Sequence, residues 1–151
     1  MKLPPLVPDA TQLLREPDRA NLHACNESTA SALFQSSAAA GCNAYRIDLG
    51  LVTDAAKLHK VLSRALHFPE WYGRNWDALA DSLGDMSWSE ADGYVLIFQR
   101  AEILQAAEPE SFDKLLEILD ESVNFWRTQG LGFWVLFVGD FPALSPLELR
   151  T

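Results

Sequence analysis

The apolar positions of this chain change period along its length, and each change marks a new element. Residues 44–49 alternate, with Tyr45, Ile47 and Leu49 set against Ala44, Arg46 and Asp48, the period of a strand with one buried face. After Gly50 the period lengthens. Leu58, Val61, Leu62, Ala65 and Leu66 recur at steps of three and four, which predicts a helix capped by Thr53 and stopped at His67 and Pro69. Residues 94–98 (YVLIF) and 133–138 (FWVLFV) are unbroken apolar runs, as in strands buried on both faces. Between them, residues 100–107 read as a short helix or irregular crossover. Residues 111–128 read as a long amphipathic helix, with Phe112, Leu115, Leu119, Val123 and Trp126 inward and Gly130 and Gly132 behind it.

The first forty residues carry weaker patterns. Residues 1–20 hold four of the eight prolines and read as an arm lying on the domain, with at most one helical turn around 10–15. Residues 21–25 (NLHAC) are a candidate strand, and 28–40 a short helix with Leu33 and Phe34 inward and Gly41 as its stop. The proline-bearing tail, 141–151, is expected on the surface. Strands that alternate with helices pair in parallel. The fold class is therefore α/β, a single layer of three or four mainly parallel strands packed with helices. Residues 41–140 form the domain, and 1–40 are an arm able to add one strand–helix unit.

Residues 68–88 (FPEWYGRNWDALADSLGDMSW) break the alternation. Pro69 pushes Phe68 toward extended backbone, and Gly73 is expected at positive φ. Asn75 is placed to cap a short helix whose Trp76, Leu79, Ala80 and Leu83 turn inward and which Gly84 closes. Asp77 and Asp81 lie four apart on another face, where like charges repel. Asp77 gains from the positive helix N-terminus, and Asp81 lies beyond it. Between residues 70 and 92, Glu70, Asp77, Asp81, Asp85, Glu90 and Asp92 face Arg74 alone, so more than half of the chain's net charge of −9 sits there.

That charge changes the functional picture more than length does. At 151 residues and 48% hydrophobic content the chain forms one domain. A pI near 4.7 opposes binding to nucleic acid or to anionic membranes, and favours a basic protein partner. The N-terminus lacks a signal-peptide core, and no stretch is long and apolar enough to span a bilayer, so the expectation is a cytoplasmic protein. Cys25 and Cys42 are expected at opposite ends of neighbouring parallel strands, too far apart for a disulfide, and so free.

No motif for nucleotide, metal-protease, calcium or serine-hydrolase chemistry is present. His23, His59 and His67 are scattered; His59 and His67 read as surface or helix-end residues, and neither metal nor cofactor is expected. Of the five tryptophans, Trp126 and Trp134 read as core, whereas Trp71, Trp76 and Trp88 flank the acidic face. An exposed aromatic beside carboxylates has the makings of an interface anchor. Catalysis by Asp77 and Asp81 as an acid–base or metal pair, and a merely solvated acidic face, are the competing readings.

The stretch FPEWYGRNWDALADSL resembles the barstar family, intracellular inhibitors of microbial ribonucleases. The matching features are Pro69-Glu70 before paired aromatics, Tyr72-Gly73, Asn75, Asp77-Ala78-Leu79, Asp81 and Leu83. A looser likeness runs from Tyr45 to Val138. The resemblance implies a barstar-like fold and a function without chemistry, in which the loop and following helix plug the active site of a barnase-like ribonuclease or ribonuclease toxin, as in immunity proteins. It implies a binding surface of Trp71, Tyr72, Gly73, Arg74, Asn75, Asp77, Ala80, Asp81, Asp85 and Trp88, with no catalytic residue. Asp77 and Asp81 would take positions meant for RNA phosphates, because a carboxylate accepts the same charge-assisted hydrogen bonds. Three places depart from the best-known member. Ala80 replaces an aromatic contact, Arg74 replaces an acid, and Asn124, Phe125 and Trp126 stand where a late-helix glutamate is expected. A regulatory module of the same fold with a basic, non-nuclease partner is the second functional reading.

Overall fold

The structure, a computed structural model, describes residues 9–149. Its sheet has the order β2-β3-β4-β1-β5, and every pairing is parallel. The strands are β1 (Leu22–Cys25), β2 (Cys42–Asp48), β3 (Gly93–Gln99), β4 (Gly132–Val138) and β5 (Ser145–Pro146). The two central strands, β3 and β4, are buried from end to end except at their last residues, as their unbroken apolar runs require.

Helices cover both faces. On one face α3 (Ala55–Ala65), α4 (Trp76–Leu83), α5 (Glu102–Ala107) and α6 (Pro109–Thr128) pack on a core that includes Tyr45, Ile47, Leu96, Phe98, Val135 and Phe137. On the other face α1 (Ala10–Leu14) and α2 (Glu27–Ser36) bury Leu13, Leu14, Ala30 and Leu33 against Val95, Ile97, Trp134 and Leu136. The two crossovers β2-to-β3 and β3-to-β4 thus share one face. The helices before β2 supply the other.

Residues 9–36 are therefore more than a surface arm: Leu13 and Leu14 are 1% and 4% exposed, and Asp9 caps α1 through Gln12 N–H at 2.8 Å. The arm expected over residues 1–8 lies outside the described residues. The tail also joins the sheet. Leu147 N–H donates to Ala24 C=O at 2.9 Å, and β5 pairs with β1 as a fifth, two-residue strand.

Several local expectations are corrected. Phe34 points outward, 36% exposed, with the Arg46 guanidinium 4.7 Å from its ring centre. The cap of α3 is Asp54, whose Oδ1 accepts Lys57 N–H at 2.8 Å, and Thr53 instead accepts from the Lys57 ammonium. Cys25 and Cys42 are free, but β1 and β2 are not neighbours, since β3 and β4 lie between them. Burial pushes both thiols up to about 11, so neither is an effective nucleophile at neutral pH. Two more, at His59 and Gly73, belong with the site.

Candidate functional site

The loop from Phe68 to Asn75 is held from beneath by aromatic rings. Phe68 packs at 4.7 Å from Tyr72 and edge-on at 5.7 Å from Trp88, ring centre to ring centre. Trp88 is half-buried and its indole N–H donates to Leu66 C=O at 3.2 Å, tying the segment after α4 to the end of α3. Tyr72 is 7% exposed. It faces inward, so its contribution to a binding surface is to fix the loop that carries its neighbours.

His59, expected at the surface, is 3% exposed and lies under this loop. Its Nδ1 shares a 2.6 Å hydrogen bond with the Tyr72 hydroxyl, and Trp76 meets the ring edge-on at 4.9 Å. Burial lowers the imidazole pKa and raises that of the phenol, so both groups are held neutral. The signal for its burial was positional. His59 follows Leu58 and stands three and seven residues before Leu62 and Leu66, within the inward stripe of α3.

The turn into α4 differs from expectation in one detail. Arg74, not Gly73, adopts positive φ, at 53°. Such a conformation in a non-glycine residue is strained by roughly 1–2 kcal/mol. Gly73 gives room instead: a Cβ there would stand 3.2 Å from the Asn75 side-chain nitrogen, close enough that the capping side chain would have to shift by a few tenths of an ångström. Asn75 caps α4 through Ala78 N–H to Oδ1 at 2.7 Å. Leu79 and Leu83 anchor the helix with 0% and 1% exposure, Trp76 and Ala80 are half-buried, and Gly84 ends it without positive φ.

The opposite face is polar and open. Asp77, Asp81 and Asp85 are exposed, as are Gly73, Arg74 and Asn75, and Trp71 is 69% exposed. Residues four apart on a helix have Cβ atoms about 5–6 Å from each other, so Asp77 and Asp81 present adjacent carboxylates. Among the described residues the ion pairs are Arg19–Glu16, Arg46–Glu27, Lys57–Asp54, Arg100–Asp48 and Lys114–Glu117; none involves the α4 carboxylates.

Two concave surfaces flank the end of α4. Ala80, Asp81 and Gly84 line a groove with Glu121, Ser122 and Phe125 of α6. Asp85 lies on the other side, in a hollow with Glu90, Asp92, Tyr94 and Trp126. Trp126 separates them, its indole N–H donating to Leu83 C=O at 2.7 Å. Glu121 was not singled out in the sequence, and Phe125 stood out only as one of three residues at the late-helix position where the resembled family has a glutamate. They join the site only because α4 and α6 pack side by side. Among the described residues no three His, Cys, Asp or Glu side chains converge as metal ligands, and no helix is long and apolar enough to cross a membrane.

A family model described as "Barstar (barnase inhibitor)" matches residues 42–138, from the first residue of β2 to the last of β4. A search by sequence among curated proteins finds no match.

Proposed function

Because the chain belongs to the barstar family, we propose that it binds a basic microbial ribonuclease and plugs the active site with the 68–75 loop and α4, in an immunity role in the cytoplasm. The observation that carries this reading is a set of exposed carboxylates with no ion-pair partner among the described residues, Asp77 and Asp81 on one short helix and Asp85 in the turn just after it, beside an exposed Trp71. A ribonuclease lines its site with cationic side chains that hold phosphate, and adjacent carboxylates meet the same donors. Repulsion between Asp77 and Asp81 is unrelieved in the free protein and would be relieved by such a site. Opposite fields also raise association rates, by about 10 to 10³-fold, an effect known from complexes of this inhibitor family.

In this mechanism nothing is transformed. Asp77 and Asp81 occupy phosphate positions, Trp71 packs at the rim, and the buried Tyr72–His59 pair keeps the loop in place. Titration of the chain into barnase should abolish RNA cleavage at one-to-one stoichiometry, with Asp81→Ala weakening inhibition far more than Glu90→Ala. Equal effects of the two substitutions would remove the plug. Arg74 and Ala80, where the best-known member has an acid and an aromatic, favour as a second reading a basic partner other than a nuclease. Absence of inhibition across several basic ribonucleases, with a non-nuclease recovered from the host, would support that reading.

A further inference from the structure

The connections β2-to-β3 and β3-to-β4 carry their helices on one face of the sheet, whereas β1 leads into α2 on the other. Because β1 and β4 are neighbours, the chain leaves their C-terminal ends in opposite directions. After β1 it turns through Asn26 into α2. After β4 it turns through Gly139, at φ 136°, and sets Phe141 on Phe112 of α6, ring centres 5.9 Å apart. Where connections part in this way, the strand ends of a parallel sheet leave a crevice open, and α/β folds place their ligands there.

A crevice of about 340 Å³ is present at that point. It is at the small end of the roughly 300–1,000 Å³ of small-molecule sites. Ala24, Cys25 and Asn26 line it from β1, and the returning segment 139–148 supplies an apolar wall with Pro142, Leu144 and Leu147. Hydrogen bonds fix its shape: Gly139 N–H donates to Cys25 C=O at 3.0 Å, and Leu147 N–H to Ala24 C=O at 2.9 Å. Asp140 and Glu148 also line the crevice, both exposed, and no ion pair reaches either among the described residues. No Lys, Arg or His is among its lining residues. All of them lie outside the family-matched stretch 42–138, on both sides of it. The crevice is therefore built by the added strand and the tail, apart from the loop and helix of the plug.

We propose that this crevice binds a small organic cation, an amine on an apolar body, with the body against Leu144 and Leu147 and the ammonium between Asp140 and Glu148. A nucleotide, the familiar occupant of such crevices, does not fit. Its phosphates would face two carboxylates, and the start of α2 is already capped by Asn26, whose Oδ1 takes Thr29 N–H at 2.8 Å. A wholly apolar ligand would strip water from the carboxylates without pairing them. An amine pairs with them while its body covers the wall.

Tryptamine, titrated into the full-length chain and followed by NMR, tests this without any nuclease, so the result stands apart from the reading of α4. Shifts should saturate at roughly millimolar concentration, as for a ligand of about a dozen heavy atoms, and centre on Ala24, Asn26, Gly139, Asp140 and Leu147. Tryptophol, neutral and of the same shape, should bind roughly three- to thirtyfold more weakly, the worth of two partly solvated charge contacts. Indole-3-propionate, an anion, should bind more weakly still. Asp140→Asn with Glu148→Gln should weaken tryptamine by the same factor and remove its preference over tryptophol. Leu144→Trp, which fills the crevice, should abolish binding of both. The two carboxylates are exposed, so their double variant reports even where Leu144→Trp does not fold. Equal binding of the three compounds would overturn the proposal, as would a double variant that keeps the preference, shifts centred on α4, or no saturable shift.

Discussion

The C-terminal end of β2 and the exposed face of α4 both carry carboxylates at the surface, and they are treated in opposite ways. Near β2, Asp48 accepts two hydrogen bonds from Arg100, at 2.9 and 2.6 Å, and a third from Gly50 N–H at 2.9 Å. Glu27 faces Arg46 and also accepts from Gln99 at 2.6 Å. On α4 and in the turn after it, Asp77, Asp81 and Asp85 are exposed and no ion pair reaches them among the described residues. With 12 Lys and Arg against 21 Asp and Glu, some acids must go unpaired. Composition does not require them to cluster within nine residues. The first region spends its charge inside the monomer, and the second leaves its charge unpaired there, which is what the proposed binding role draws on.

The sharpest way to break this contrast is to neutralise each region in turn. Asp77→Asn with Asp81→Asn should weaken inhibition of barnase by at least about 100-fold, since hydrogen bonds between charged groups contribute roughly 1.5–3 kcal/mol each. Stability should change by less than about 0.5 kcal/mol, because relief of the i,i+4 repulsion offsets the lost favourable charge at the helix N-terminus. Inhibition titrations and thermal melts of the same variants separate the two quantities. A double variant that inhibits like the parent would leave the two regions equivalent.

The second difference lies below the surface. The α4 side is supported by the neutral His59–Tyr72 pair rather than by surface ion pairs, so protons should loosen it. His59 has a lowered pKa in the folded protein, by desolvation, so its contribution is intact above its ordinary value of 6.5. It is lost as pH falls from there toward the folded pKa, because the unfolded chain binds the proton first. His23 is shifted the same way by burial, so the His59 share is the difference between parent and His59→Phe melts from pH 8 to 5.5. His59→Phe should flatten that pH dependence and cost about 1–3 kcal/mol at neutral pH by leaving the buried Tyr72 hydroxyl unpaired.

Exposed aromatics offer a smaller version of the same test. Trp71 is 69% exposed beside the unpaired acids, whereas Phe34, 36% exposed, is already covered by Arg46. Trp71→Ala should weaken inhibition roughly tenfold, as for a contact contributing above 1 kcal/mol, and leave the melting temperature unchanged. Phe34→Ala should leave inhibition unchanged. Loss of inhibition in both would show that exposure alone, and not the neighbouring free charge, marks a contact.

How legible these regions were depended on whether one element or two defined them. The three long strands β2, β3 and β4, the stripes of α3 and α6, and the Asn75 cap with Leu79 and Leu83 inward are written in local periods, and the structure has them. Phe34 was misread because α2 is short and rich in Ala and Ser, so its inward side is weakly marked. His59 was hidden by its polarity although its stripe position pointed inward, and its partner Tyr72 lies thirteen residues on in an irregular loop. The two-residue β5 exists only because β1 offers an edge to it. Glu121 and Phe125 flank Asp81 only through helix packing, which no single period encodes.

The smallest effect belongs to the paired region and closes the contrast from the other side. Hydrogen bonds from Arg100 and from Gly50 N–H hold the Asp48 carboxyl below its ordinary value of 3.8. A depressed carboxyl stabilises the fold above that value and loses the contribution as pH falls through the folded pKa. Its window therefore lies well below that of His59. Asp48→Asn should leave inhibition untouched and lower the melting temperature slightly at neutral pH, with the difference shrinking as pH falls below the ordinary carboxyl value of 3.8. Both side chains are more than half exposed, 54% and 56%, so salt should erase the difference as well. At about 1 M ionic strength the screening length falls to about 3 Å. Raising salt at pH 7 should therefore mimic Asp48→Asn in the parent, while leaving the His59-dependent fall between pH 8 and 5.5 in place. If salt removed the His59 dependence too, the loop would be held by surface charge like the β2 edge, and the distinction between the two regions would fail.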